Sequence, residues 1–142
     1  MIFFLILVDT SAWYATEVED DKNHSSATDF LRKLASNTYG SLVTTDYILD
    51  ETLTLLRMRR GVKVAVQFSQ KIRKTKSLQL VWIGEDIFNV ALELFNHADE
   101  RQVWSFTDCT SFALMKELSI NNVYAFDSDF ESAGFNILPQ PI

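Results

Sequence analysis

Short apolar runs alternate with amphipathic segments along the whole chain. The runs Phe3–Val8 and Val123–Phe126 are almost continuously apolar, which is typical of strands that are buried on both faces. Shorter strands are predicted at Ser41–Thr44, Leu78–Ile83 and Phe135–Pro139. Because predicted strands alternate with predicted helices, the pattern favours a three-layer α/β/α fold with a central, mostly parallel sheet.

The segments between these strands have the apolar periodicity of helices that bury one face. Gly61 is predicted to end one of them, because glycine commonly follows the last helical residue. The predicted helices are Thr10–Val18, a helix capped by Ser25 or Ser26 and ending near Ala35, Asp46–Arg60, Lys63–Lys74, Glu85–Ala98, and a helix capped by Thr107 and ending near Leu118.

Four acidic residues occupy positions where a parallel sheet collects ligands. Asp9 and Asp127 each follow a predicted buried strand, Asp108 opens a helix, and Glu51 lies within the helix after the second strand. Ligands in such folds bind beyond the carboxyl ends of the strands. Clustered carboxylates repel one another, and a hard divalent cation between them relieves the repulsion. The placement therefore predicts a divalent-metal site.

Each acid also has a purely structural interpretation. Asp9 could cap the next turn, Asp108 could favour a helix N-terminus, and Asp127 could form an Asx turn. Asp129 competes with Asp127 for the fourth position and could instead cap the turn that follows it.

Helical spacing separates Glu51 from its acidic neighbour Asp50. Glu51 shares a face with Ile48, Leu55 and Met58, whereas Asp50 falls on the polar face. A carboxylate on an apolar face is costly unless a metal or water compensates it, so Glu51 is the candidate and Asp50 a solvated charge.

Composition and charge narrow the class of protein. The 142 residues fit one domain spanning 1–142, and 47% apolar residues indicate a globular chain. The net charge of −6 argues against a general nucleic-acid coat protein. Cys109 is the only cysteine, so no internal disulfide is possible, and a reducing cytoplasm is expected. The segment Met1–Val8 is too short to span a membrane.

Four segments together resemble a PIN domain, and the resemblance runs from Ile6 to Pro139. Its closest subgroup is the VapC-type toxins of type II toxin–antitoxin systems. The segments that carry the resemblance are Val8–Trp13, Asp50–Glu51, Trp104–Phe112 and Ala125–Phe130.

The resemblance implies a Mg²⁺- or Mn²⁺-dependent endoribonuclease, with one or two metal ions left open. By it, Asp9, Asp108 and Asp127 would be metal ligands and Glu51 would bind or orient the attacking water. Supporting roles beside these four acids would fall to Thr10, Ser11, Thr107 and Asp129. The family resemblance also implies a homodimer and a cognate antitoxin partner. A non-catalytic PIN-like module that binds RNA or protein is the alternative, and the complete set of acids argues against it.

A basic segment, Arg57–Lys76, follows the Glu51 helix and is here called the basic arm. It contains eight of the thirteen lysines and arginines and no acidic residue. The arm could bind RNA phosphates or an acidic stretch of antitoxin, or it could be a solvated pair of helices. Its candidate binding residues are Arg57, Arg60, Lys71, Arg73 and Lys74.

Overall fold

A computed structural model describes residues 4–35 and 40–140, so Phe3, the first residue of the predicted strand Phe3–Val8, lies outside the described residues. No helix within the described ranges is long and apolar enough to cross a bilayer. The elements in chain order are β1 (Leu5–Val8), α1 (Thr10–Glu17), α2 (His24–Ala35), β2 (Ser41–Thr45), α3 (Asp46–Arg60), α4 (Val62–Lys74), β3 (Leu78–Val81), α5 (Glu85–His97), α6 (Phe106–Glu117), β4 (Asn122–Tyr124), α7 (Asp129–Ser132) and β5 (Asn136–Leu138).

The five strands of the described residues form one sheet in the order β3-β2-β1-β4-β5, and every pairing is parallel. The first strand lies at the centre, where Leu7 pairs with Val43 on one side and Val123 on the other. Its residues Ile6, Leu7 and Val8 have no exposed surface. The predicted three-layer α/β/α fold is confirmed, and all strand carboxyl ends lie along one edge of the sheet.

Trp13 fixes α1 against the sheet and against α4. Its indole nitrogen donates to Thr44 Oγ1 at 3.2 Å, and that hydroxyl donates to the Val8 carbonyl at 3.1 Å. The ring also meets Phe68 edge-on, with centroids 5.5 Å apart. The helix that begins beside Asp9 is therefore held to the ends of β1 and β2.

The basic arm consists of the last turn of α3 and the whole of α4. Gly61 separates the two helices at φ +97°, a conformation that favours glycine, so the predicted helix end is confirmed. Two ion pairs attach the arm to α1 and the segment after it. Arg60 pairs with Asp20, and Lys71 Nζ lies 3.0 Å from a carboxylate oxygen of Glu17.

Two predicted helix caps are wrong. The predicted cap at Ser25 or Ser26 fails because α2 already begins at His24, after a turn in which Asp21 accepts from the amide of Asn23 at 2.9 Å. Thr107 does not cap α6, because the N-cap is Ser105. The Ser105 hydroxyl accepts from the Asp108 amide of α6, whereas the first amide of α2, that of His24, donates to the Asp21 backbone carbonyl.

The strand ends and one helix face also differ from the prediction. The third strand stops at Val81, and β4 ends at Tyr124, each two residues early. Met58 is 79% exposed and does not share the buried face, because the buried residues of α3 are Ile48, Thr52 and Leu56. The apolar face predicted for Glu51 is therefore only partly correct.

Candidate active site

An open cleft of about 310 Å³ lies beyond the carboxyl ends of β1 and β4. Three of the predicted acids, Asp9, Glu51 and Asp127, line it together. Tyr14 of α1 and Arg59 of α3 also line it. The cleft thus joins residues from the start, the middle and the end of the chain.

Asp9 is the N-cap of α1 and also faces the cleft. It is 3% exposed, and its Oδ2 accepts from the Ser11 amide at 3.1 Å and from the Ser11 hydroxyl at 2.7 Å. The same Ser11 oxygen accepts from the Phe126 amide at 2.9 Å. Ser11 therefore connects the residue after β1 with the chain beyond β4, and the capping role of Asp9 coexists with its place in the cleft.

Asp108 is the third residue of α6 and takes part in a capping box. The Asp108 amide donates to Ser105 Oγ at 3.0 Å, and the Ser105 amide donates to Asp108 Oδ2 at 3.2 Å. This reciprocal pair holds the Asp108 carboxylate, which is 7% exposed. Thr107 occupies the intervening turn. Sequence reasoning missed Ser105, although the Ser-x-x-Asp spacing is the signal for such a box.

The remaining acids complete a compact carboxylate triad. One carboxylate oxygen each of Asp108, Asp127 and Asp129 lies within 4.8 Å of the other two. The Asp129 amide donates to Asp127 Oδ1 at 2.9 Å, which is the Asx turn expected after the last buried strand. Asp129 is the first residue of α7, and the N-cap is Ser128, so the expected capping role of Asp129 is wrong. Both Asp127 and Asp129 belong to the acidic centre.

A buried hydroxyl network sets the position of Glu51. Thr52 Oγ1 donates to the Ile48 carbonyl at 2.7 Å and lies 3.2 Å from Thr10 Oγ1, within hydrogen-bond distance. This contact joins α1 to α3, and its two threonines directly follow the acids Asp9 and Glu51 in the sequence. Glu51 is half-buried, whereas Asp50 is exposed, which confirms the distinction made between them. Nothing in the local sequence marked Thr52 as part of this network.

Burial and mutual repulsion raise the pKa of three of the acids. Burial raises the pKa of Asp9 from 3.8 to about 6, aided by the charge of Glu51 and opposed by the Ser11 hydrogen bonds. Burial, together with the charges of Asp9 and Asp127, raises the pKa of Asp108 to about 7. The pKa of Asp129 is also raised, first by burial and then by Asp127. These charge interactions connect five carboxylates into one electrostatic group: Asp9, Glu51, Asp108, Asp127 and Asp129.

The donor set fits a hard divalent cation. Mg²⁺ prefers oxygen ligands, takes one or two carboxylates and keeps several waters, all of which an open carboxylate triad allows. A cation at this centre would also offset the repulsion that raises the pKa of Asp9 and Asp108. The triad of Asp108, Asp127 and Asp129, with Asp9 beside it, supplies more oxygen donors than one ion requires.

A larger cavity of about 480 Å³ lies elsewhere, between α2, α4 and β2. Its lining is mainly apolar and includes Leu34 and Phe68, and its one carboxylate, Glu17, is paired with Lys71. This cavity lacks the clustered acids that a cation requires. The smaller acidic cleft is therefore the candidate active site.

Comparison with known proteins agrees with this geometry. The PIN domain family model matches residues 6–136. The chain is 37% identical over 131 residues to the 23S rRNA-specific endonuclease VapC20 of Mycobacterium tuberculosis, covering 92% of this chain and 95% of that protein. It is 27% identical over 124 residues to a VapC ribonuclease of Archaeoglobus fulgidus, covering 87% of this chain and 78% of that protein.

Solved structures give the same result. The crystal structure of Mycobacterium tuberculosis VapC20, described as a sarcin–ricin loop cleaving toxin, superposes with a TM-score of 0.82 over 92% of this chain and 96% of that one, at 37% identity. VapBC2 of Rickettsia felis shares the fold at a TM-score of 0.69 and 10% identity, over 94% of this chain and 97% of that one. The family match, the relatives and the acidic cleft agree: the chain belongs to the PIN domain family, among its VapC-type ribonucleases.

Proposed function

We propose that this protein is a metal-dependent endoribonuclease and the toxin component of a VapBC-type toxin–antitoxin system. One observation carries the proposal: acids from four separate parts of the chain meet at the carboxyl edge of the sheet. Asp9, Glu51 and Asp127 line one cleft, and Asp108 adds its carboxylate to the triad. Two relatives, one named as a 23S rRNA-specific endonuclease and one as a VapC ribonuclease, support the same activity for this chain.

The acids have two different roles in the proposed reaction, metal binding and activation of water. Asp9, Asp108 and Asp127 would hold Mg²⁺ or Mn²⁺, with Asp129 as a further oxygen donor. When bound, the cation supplies positive charge for the phosphoryl oxygens and lowers the pKa of a water. Glu51, half-buried beside Asp9, accepts the proton of the attacking water and orients it towards the phosphorus.

Hydrogen bonds that already exist in the fold orient these acids. Ser11 holds the Asp9 carboxylate through its amide and hydroxyl, and the capping box with Ser105 holds Asp108. The hydroxyl of Thr10, fixed by Thr52, keeps α1 and α3 in register. Such supporting contacts keep ligands in the geometry that a metal requires.

The test is RNA cleavage by the purified protein with Mg²⁺ or Mn²⁺ and with EDTA. We expect cleavage that EDTA abolishes, and a loss of at least about 100-fold in Asp9→Asn and Asp108→Asn, as for removal of a main electrostatic contact. Asparagine can keep the capping hydrogen bonds, so both variants should fold. Asp50→Asn is the matched control, because Asp50 is exposed and lies next to Glu51. Wild-type rates in both Asp9→Asn and Asp108→Asn would exclude the proposed site.

The RNA class follows from the relative with 37% identity, which is named as a 23S rRNA-specific endonuclease. We propose ribosomal RNA as the substrate of this chain as well. Intact ribosomes, naked 23S rRNA and a tRNA pool should be offered in parallel, with cut sites mapped by primer extension. A single cut in 23S rRNA is expected, and cleavage confined to tRNA would refute this assignment.

The proposed partner is a cognate antitoxin that meets this single-domain protein in the cytoplasm. All five predicted binding residues of the basic arm are exposed, and three of them, Arg57, Arg73 and Lys74, form none of the ion pairs found among the described residues. The other two, Arg60 and Lys71, are paired with acids of the α1 region, so they hold the arm in place as well as adding charge. An acidic stretch of antitoxin and an RNA backbone would both be attracted to this surface.

A homodimer is supported by the outer face of α5. Phe88, Leu92 and Phe95 follow helical spacing and are 37%, 39% and 47% exposed. Phe88 and Phe95 pack against Phe106 of α6, which makes the stripe a continuous apolar surface. Replacing Phe95 by Glu should convert a dimer to a monomer in light scattering. A Phe95→Glu dimer of undiminished stability would exclude this face.

A further inference from the structure

The cleft contains one basic side chain that none of the proposed roles uses. Arg59 lies two turns after Glu51 on α3, and Glu51, Leu55 and Arg59 line the cleft together. The spacing of four and eight residues places all three on one face of the helix. A guanidinium therefore stands in the same wall as the acids.

Tyr14 of α1 holds Arg59 in this position. The guanidinium carbon of Arg59 lies over the Tyr14 ring, 5.7 Å from its centroid. The same tyrosine interacts with Arg60, whose guanidinium also pairs with Asp20. Tyr14 is thus held by its interaction with Arg60, and stacking on its ring restricts the motion of the Arg59 side chain.

Arg59 differs from the paired cations of the basic arm. Arg60 and Lys71 each lie within ion-pair distance of a carboxylate. For Arg59, by contrast, no carboxylate of residues 4–35 or 40–140 lies within 4.0 Å of the guanidinium. Its hydrogen-bond donors therefore remain available to an anion that enters the cleft, although the surrounding residues are mainly acidic.

We propose that Arg59 binds an RNA phosphate next to the scissile one, and that Tyr14 is its positioning residue. A planar guanidinium donates two parallel hydrogen bonds to a phosphate, which fixes orientation as well as adding affinity. An RNA backbone approaching an acidic cleft is repelled unless a cation receives it, and Arg59 supplies that cation at the wall. The inference rests on the proposed nuclease function.

The experiment compares Arg59→Gln, Arg59→Lys and Tyr14→Leu with the wild type. Steady-state cleavage is measured on the shortest RNA that the wild type cuts. Binding is measured by anisotropy, in an Asp108→Asn background, with fluorescein-labelled single-stranded poly(U) and a labelled sarcin–ricin hairpin. Lys116→Gln is the matched control, because it removes one exposed charge at the opposite end of α6 from Asp108.

We expect Arg59→Gln to raise KM about 10-fold or more, as for loss of a charge-assisted contact, with kcat changed much less. The slope of log affinity against log salt should fall by about 1, because one phosphate contact is lost. Arg59→Lys should keep the salt slope but lose part of the affinity. Tyr14→Leu should raise KM in the same direction, while Lys116→Gln changes neither quantity appreciably.

Unchanged KM and salt slope in Arg59→Gln would overturn the inference and leave the nuclease proposal standing. A fall in thermal stability with proportional losses of kcat and affinity in every Arg59 variant would assign Arg59 a structural role instead. If the wild type neither cleaves nor binds RNA, the nuclease proposal and this inference fall together. If the wild type binds RNA without cleaving it, the slope of log affinity against log salt in Arg59→Gln still shows whether Arg59 contacts a phosphate.

Discussion

Replacing Asp9 by Asn should stabilise the metal-free protein at high pH and change its stability little at low pH. In the folded protein the pKa of Asp9 is about 6, against 3.8 for the free group, mainly because the carboxylate is buried. Between these values the folded state binds more protons than the unfolded state, so the free energy of unfolding falls as pH rises. The loss is complete above about pH 7 and amounts to about 3 kcal/mol, since one pKa unit is worth about 1.4 kcal/mol.

The assay is thermal or urea unfolding in EDTA from pH 4 to pH 8, for the wild type and for Asp9→Asn. The stability difference should grow from near zero at pH 4 to about 3 kcal/mol at pH 8, or roughly 6–12 °C in Tm for a chain of this size. Asparagine caps helices as well as aspartate does, so α1 should survive the change. Asp50→Asn, at an exposed position, should show no such trend.

The effect of added Mn²⁺ on Tm tests the same reasoning. Adding Mn²⁺ at pH 8 should raise the Tm of the wild type, because the cation replaces the missing protons, and should raise that of Asp9→Asn much less. A stability difference between the two proteins that is the same at pH 4 and pH 8 would refute the reasoning. So would an equal response of both proteins to Mn²⁺.

Three further predictions concern the cleft and the arm. Glu51→Gln should lower kcat with little change in RNA affinity, measured against Asp50→Asn, and equal activities would remove Glu51 from the site. Ser11→Ala should cost about 10–100-fold in activity and shift the metal titration, because the Asp9 carboxylate loses its hydroxyl donor. The Arg73→Glu/Lys74→Glu double variant should weaken binding of RNA or antitoxin without changing Tm; unchanged affinity for both would leave these exposed residues as solvated charges.

The convergence of the acids could be predicted because it depends on topology alone. Once the strands are parallel, Asp9 after β1 and Asp127 after β4 must lie at the same edge, since those strands are neighbours. The exposure of Asp50 followed from helical period in the same way. The fold class and the acidic centre could therefore be predicted from the apolar periodicity and from the order of strands and helices along the chain.

Other features depend on contacts that local sequence does not encode. Thr52 lies within an ordinary helix, and only the approach of α1 gives its hydroxyl a role beside Thr10. The buried face of α3 is formed by Ile48, Thr52 and Leu56, so Met58 is exposed, and the neighbouring face with Glu51 and Leu55 continues to Arg59. Extending the Glu51 face by another turn would have identified Arg59, whereas Thr52 required the tertiary structure.

The structural and functional interpretations of Asp9 and Asp108 are not alternatives, because Asp9 is the N-cap of α1 and Asp108 lies in the first turn of α6. Each accepts a backbone amide hydrogen bond at its helix N-terminus, and the positive end of the helix dipole favours each negative charge. These contacts offset only part of the cost of burial, since the pKa of both carboxyls remains raised. The helices hold the carboxylates in place before a cation binds. The cation then relieves the part of the burial cost that the helix contacts do not offset. Metal affinity should therefore increase with pH until both acids are ionised, about one unit above the pKa of Asp108, which is about 7.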